Sequence, residues 1–162
     1  MRIALAAVTV GVALSVVGSS AYSQQLPKSG SISFHTGFKY AADVTSPADK
    51  YVLGRGNSTG VTFNDKGSGP LHLGPANCFE GFLLIDGHGK DMGFCAFGDP
   101  DGDRIFTEYT GTLAPDGASG TNVVTGGTGK YAGIRGSGPW KCKGAGGNGE
   151  LQCAQRMDYQ LP

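Results

Sequence analysis

Ser31-Ile32-Ser33-Phe34-His35-Thr36-Gly37-Phe38-Lys39-Tyr40 sets large apolar residues between small or polar ones, and its reading decides the fold. Successive side chains of a strand point to opposite faces, so Ile32, Phe34, Phe38 and Tyr40 share one side. The C-terminal stretch repeats the pattern. Leu151, Cys153, Met157, Tyr159 and Leu161 fall on one face, with Glu150, Gln152, Arg156, Asp158 and Gln160 on the other. Between these ends the same alternation, broken by turn residues, predicts strands near 50–56, 59–64, 77–86, 89–98, 103–112, 121–125 and 130–142. Leu71-His72-Leu73 adds a short one. No window carries a helical apolar stripe longer than about two turns. Strands of this number joined by tight turns read as an antiparallel all-β meander, closed into a barrel or folded as a sandwich; closure removes the exposed edges that make open sheets sticky.

Composition agrees with a turn-rich β domain. Gly makes up 29 of the 162 residues, far above the usual share of about 7 %, with no triplet repeat, and aromatic and β-branched residues persist between the glycines. Arg2, the apolar run Ile3 to Val17 and the small residues Gly18-Ser19-Ser20-Ala21-Tyr22-Ser23 have the order of a secretory signal peptide. Residues 1–23 are therefore expected to be removed, with Ser19-x-Ala21 competing as the cleavage signal and an uncleaved anchor as the alternative. The run is shorter than the roughly 20 residues a helical span needs. The expected product is secreted or periplasmic: a flexible leader at 24–30 and one domain at 31–162, with no stable membrane span. An outer-membrane barrel would need a continuous lipid-facing band, and Gly interrupts most of these strands. Acidic residues (13) match basic ones (13), and no basic stripe is present, so nucleic acid is not an expected partner.

Four cysteines in an exported domain imply two disulfides, with three connectivities. Cys78 and Cys95 are symmetric about Asp86-Gly87, a dipeptide that favours a two-residue type I′ hairpin turn. Counting outward from Ile85 and His88 places them opposite each other at a non-hydrogen-bonded site, where Cα atoms come within about 4.5 Å. Cys142 and Cys153 are symmetric about Gly147-Asn148. A two-residue turn there would put them at a hydrogen-bonded site about 5.5 Å apart, and another loop length would shift that register. The expected pairs are Cys78–Cys95 and Cys142–Cys153. A four-cysteine metal site lacks any closely spaced pair, so no metal is expected.

Gly126-Gly127-Thr128-Gly129-Lys130-Tyr131-Ala132-Gly133-Ile134-Arg135-Gly136 invites a phosphate-loop reading, but Val124 stands where the first P-loop Gly belongs and Tyr131 where Ser or Thr belongs. The positions Gly126, Gly127, Thr128, Gly129, Tyr131, Gly133 and Gly136 resemble a late-strand signature of the allene oxide cyclase and dirigent barrels, and of small exported bacterial proteins with that barrel and no assigned role. The resemblance covers about residues 125–138. It implies an eight-stranded, antiparallel, lipocalin-like closed barrel, often assembled as a homo-oligomer, with an apolar cavity for a small ligand. Those residues shape the barrel in the family and perform no chemistry there, and the family's pocket motifs have no counterpart before residue 125.

Other candidates are isolated. Asp99-Pro100-Asp101-Gly102-Asp103 resembles the start of a calcium loop, but Arg104 and Thr110 stand where Gly and a carboxylate belong; Pro-Asp-Gly reads first as a hairpin turn. Glu80 shares a face with Cys78, Phe82 and Leu84, and Glu108 alternates with Phe106 and Arg104. Either would become a candidate general acid or base if it entered a cavity, because burial raises a carboxyl pKa. The plainer expectation is that both face solvent or are paired, Glu108 with Arg104. His35, His72 and His88 have no metal-ligand spacing and read as surface residues, and Trp140 is expected to pack on the disulfide of Cys142. Without a cofactor motif or an assembled catalytic set, the expected role is binding a small apolar or amphipathic molecule. The alternatives are an isomerase or cyclase working in the cavity, and an interaction protein with a filled barrel.

Overall fold

The computed structural model describes residues 26–146 and 148–162; the segment read as a signal peptide and the first residues of the leader lie outside the described residues. Alternation in sequence becomes alternation across a wall. Eight antiparallel strands, β1 (Ser29–Ala48), β2 (Tyr51–Asn64), β3 (Gly74–Ile85), β4 (His88–Gly98), β5 (Arg104–Ala114), β6 (Gly117–Gly127), β7 (Arg135–Gly144) and β8 (Glu150–Gln160), pair in chain order. β1 pairs with β8 from Ser29↔Gln160 to Lys39↔Glu150 and closes the barrel. Among the described residues, no helix is long and apolar enough to cross a membrane.

Ile32, Phe34, Phe97, Ile105, Val124 and Met157 point inward and fill one half of the lumen. Phe34 and Phe97 meet edge-on, with ring centroids 5.3 Å apart. Leu71, Tyr131 and Ile134, all fully buried or nearly so, plug that end from the β2–β3 and β6–β7 connections. The opposite end carries the tight hairpin turns. There Asp86 (φ 54°) and Gly87 (φ 77°) take the left-handed pair of conformations that a type I′ turn requires.

Several expected boundaries move, each for a local reason. Ser29 and Gly30 are not leader but the start of β1, since both pair with β8. The two strands expected at 50–56 and 59–64 are one, β2, in unbroken register with β3. Leu71-His72-Leu73 is not a strand: Leu71 and Leu73 both sit at φ 58°, which turns the chain and drives Leu71 into the plug. The strand expected from Lys130 starts only at Arg135. Gly129 (φ 52°) and Gly133 (φ 78°) bend the segment around a single 3-10 turn, Gly129–Tyr131, and the i, i+3 pair Tyr131 and Ile134 points into the barrel end. β1 also runs further than expected, to Ala48: it stays paired with β2 as far as Ala48↔Tyr51, beyond the end of its pairing with β8 at Lys39, and residues 41–50 are exposed throughout.

Both expected sulfur bridges are present, Cys78–Cys95 across β3–β4 and Cys142–Cys153 across β7–β8. The first occupies the site counted from Asp86-Gly87, with Cα atoms 4.1 Å apart. The second differs from expectation, with Cα atoms 4.0 Å apart, the spacing of a non-hydrogen-bonded pair. The cause is the turn. Ala145 N donates to Glu150 O (2.9 Å), so four residues rather than two form the loop, and every pair below changes parity.

Candidate functional site

The half of the lumen nearest the hairpin turns is hollow. A cavity of about 440 Å³ opens between the β3–β4, β5–β6 and β7–β8 turns and is lined mainly by apolar side chains, among them Phe38, Phe82, Leu84, Leu113 and Leu151. All four cysteines border it, so the two bridges are part of its wall. Its floor is polar. Thr107 Oγ1 donates to Asn122 Oδ1 (3.3 Å), Asn122 Nδ2 to Gln155 Oε1 (3.0 Å), and Gln155 Nε2 to Thr36 Oγ1 (3.0 Å), a buried chain running from β5 to β1. Below it the packed core begins.

Of the two carboxylates singled out in the sequence, the structure brings one to the cavity. Glu80 on β3 faces inward beside Tyr40 and Tyr109, and Tyr109 OH donates to Glu80 Oε2 (2.5 Å). This corrects the expectation of a solvent-facing Glu80. Glu108 lies on the outer wall, exposed, opposite Phe94 of β4 and Val123 of β6, and no ion pair joins it to Arg104 among the described residues. Inward parity on β5 belongs to Ile105, Thr107 and Tyr109.

The sequence reading missed Asp91, a second carboxylate in the cavity wall. It is 8 % exposed, and its Oδ1 has no hydrogen-bond partner among the described residues. Burial, then the charge of Glu80, push its pKa from 3.8 up to about 6. Burial and Glu80 likewise raise the Tyr40 and Tyr109 phenols above their ordinary value, so both stay protonated and serve as donors. The signal for Asp91 was available: it shares inward parity with Cys95, whose facing was fixed by the bridge to Cys78. Trp140 meets Tyr109 edge-on at 5.5 Å rather than being confined to the disulfide, and its ring lies over Gly111, where a Cβ would come 2.4 Å from Trp140 Cζ2 and 2.7 Å from Asp91 Oδ1.

An ionised Asp91 in this wall costs stability. Its folded pKa, about 6, exceeds the ordinary 3.8, so the folded state holds the extra proton between those values. Stability therefore falls as pH rises through that window, and the cost is complete above it. Asp91→Asn is expected to stabilise the protein by about 1–3 kcal/mol at neutral pH, with the gain disappearing below about pH 4. Urea unfolding of both proteins across that range checks it; an equal difference at all pH values would refute the assignment.

The family-like glycine segment and the acidic loop belong together, at the plugged end. Lys130 Nζ lies 2.8 Å from Asp99 Oδ2, 2.5 Å from Asp101 Oδ2 and 3.7 Å from Asp103 Oδ2. An ammonium thus occupies the centre that a calcium reading of residues 99–103 would give to a metal. Burial tends to lower the Lys130 pKa, but hydrogen bonds to Asp101 and Asp99 outweigh it and hold the group charged. Tyr131 OH donates to Asp99 Oδ2 (2.6 Å) and Leu71 N to Asp99 Oδ1 (2.5 Å). Gly129 is required by contact as well as by its φ of 52°, since a Cβ there would overlap the Asp103 carboxylate. Among the described residues no group of three His, Cys, Asp or Glu is arranged to hold a metal ion. His35 is half-buried, stacked on Phe63 and paired with Asp65 (3.0 Å); His72 is likewise half-buried, in the β2–β3 connection, whereas His88 is exposed beside its turn.

Fold and site together define a small disulfide-stapled barrel with a carboxylate-bearing cavity at its hairpin end. No family model matches the chain, and comparison with curated proteins finds no match.

Proposed function

We propose that this protein is an exported carrier or receptor that holds one small apolar or amphipathic molecule in the hairpin-end cavity. The observation that carries the reading is the cavity itself. Its volume of about 440 Å³ falls within the range of small-ligand pockets, about 300–1,000 Å³, and its apolar lining with few convergent polar groups is what such pockets have. The resemblance of residues 126–136 to cavity-bearing barrels supports the same reading, and the two disulfides suit a secreted or periplasmic location.

Asp91 favours a second reading, catalysis by proton transfer. A carboxyl with a pKa near 6, beside Glu80 and two phenols, is suited to general acid–base work at neutral pH, as an isomerase or cyclase would need. Self-association is also part of the proposal. Phe79 and Phe94 face each other on the outer wall, 68 % and 66 % exposed, beside exposed Met92. The surrounding outer positions carry both signs of charge, Arg55 and Lys90 against Asp43 and Glu108, as a contact between identical copies requires.

Native mass spectrometry of the protein purified from its own source tests these points together. Retention of one small molecule per chain is expected, in an oligomer that Phe79→Asp dissociates. The isolated molecule, returned to the protein, distinguishes carrier from enzyme: it is recovered unchanged from a carrier and converted by an isomerase. A bare chain that also takes up no apolar probe would overturn the proposal.

A further inference from the structure

We infer that the cavity is built for a cationic amphiphile, a protonated or quaternary amine carrying an apolar body; this rests on the cavity-binding reading above. Two carboxylates, Glu80 and Asp91, face one apolar lumen from adjacent strands, and neither is in an ion pair among the described residues. Glu80 is served by the Tyr109 hydroxyl. Asp91 is less well served: it is more than nine-tenths buried, and its Oδ1 lacks a partner among the described residues. A buried carboxylate without a partner is costly and is retained where something else completes it.

The candidate ligand classes differ sharply in what they do to this pair. A neutral apolar molecule would strip the remaining water from Asp91 and give nothing in return. An anion would be repelled by both carboxylates. A cation satisfies Asp91, is attracted by Glu80, and meets the rings of Tyr40, Tyr109 and Trp140, whose faces attract positive charge. Glu80 lies deeper than Phe82, and Asp91, directly opposite Phe82, lies deeper than Leu84 and Leu113, which stand nearer the turns, so the charged head enters first and the apolar body points to the mouth. Lys143, the basic residue bordering the cavity, is at the β7–β8 end of that mouth. Opposite charges placed in this way are also seen at the plugged end, where Lys130 fills an acidic centre from within the chain. The cavity has the acidic centre without the lysine.

Trp140 is the single Trp of the chain and borders the cavity, so its emission reports occupancy. Phenylbutylamine, phenylbutanol and phenylbutanoate share one apolar body and differ in charge. At neutral pH the amine is expected to bind roughly tenfold or more tightly than the alcohol, and the carboxylate weakest. Asp91→Asn should narrow the amine-to-alcohol ratio to about twofold, and Glu80→Gln should reduce it as a second, independent variant. An alcohol that binds as well as the amine, or a carboxylate that binds best, overturns this inference while leaving the cavity reading standing. Failure of all three to bind the wild-type protein overturns both.

Discussion

Asp99→Ala is expected to lower the unfolding free energy by about 3–5 kcal/mol, a large part of what a single domain possesses. The carboxylate is 4 % exposed and holds three donors from different parts of the chain: the Leu71 backbone N–H, the Tyr131 hydroxyl and the Lys130 ammonium. Its removal leaves two buried donors unpaired and a half-sequestered ammonium with only Asp101 and Asp103, which are more exposed. The plug residues Leu71 and Tyr131 would lose what fixes their placement, and Leu71 already sits at a left-handed φ of 58°. Asp99→Asn keeps an acceptor for Leu71 N and should lose less. Tyr131→Phe, which removes one hydroxyl donor, should cost only about 1 kcal/mol. Urea midpoints at neutral pH provide the comparison; a loss below about 1 kcal/mol for Asp99→Ala would show that the plug does not depend on this centre.

Replacing each cystine by a pair of alanines is expected to cost about 3 kcal/mol, and replacing both about twice that. The sequence separations, 17 and 11, close loops of similar length, so the two bridges should contribute nearly equally. Each bridge joins strands that are already paired, so the double variant should retain a β-type far-UV spectrum while its urea midpoint falls. Accessibility distinguishes them kinetically. Cys78 and Cys95 are both buried, whereas Cys142 is only half-buried nearer the mouth, so mild reductant should release the Cys142 and Cys153 thiols first. A ligand filling the cavity should slow that step, because both bridges form part of its wall. Loss of less than about 1 kcal/mol for each pair would contradict the stapling role.

Much of the architecture could be read before any coordinates. Ile32, Phe34 and Phe38 alternate because one face of β1 fills the lumen, and that requirement is strict enough to show in the residues. The Asp86-Gly87 turn fixes a register, which places Cys78 against Cys95 and identifies the inward parity of β3 and β4. Legibility failed where a tertiary contact overrides local pattern. Tyr131 and Ile134 are apolar and close in sequence, and they extend the apparent strand, but two left-handed glycines fold them into the barrel end. The loop at 146–149 kept the symmetry of Cys142 and Cys153 while changing their parity, a distinction that turns on one backbone hydrogen bond.

The site was half visible for a related reason. Inward positions expected to be apolar include Glu80, Asp91, Asn122 and Gln155, and single polar residues in an alternating strand look like noise until four strands are brought together. Glu80 was a candidate through its company with Cys78 and Phe82. Asp91 has equal parity credentials, but Gly89 and Gly93 on either side gave its face no apolar signature. The same absence of side chains at inward Gly54, Gly56, Gly93 and Gly111 leaves room for rings; a Cβ at Gly54 would overlap Phe82, and one at Gly93 would crowd Tyr109. These glycines therefore do more than permit turns. They set the shape of the wall against which the aromatic residues of the cavity lie.

The claim on which the functional reading depends is that the hairpin-end lumen accepts a foreign apolar molecule rather than only water. Crystals soaked with bromophenylethanol measure this directly through the anomalous signal of bromine. One bromine site is predicted inside the barrel, among Phe38, Phe82, Tyr109 and Trp140. Bromine found only on the outer wall, with the lumen filled by its own side chains, would contradict it.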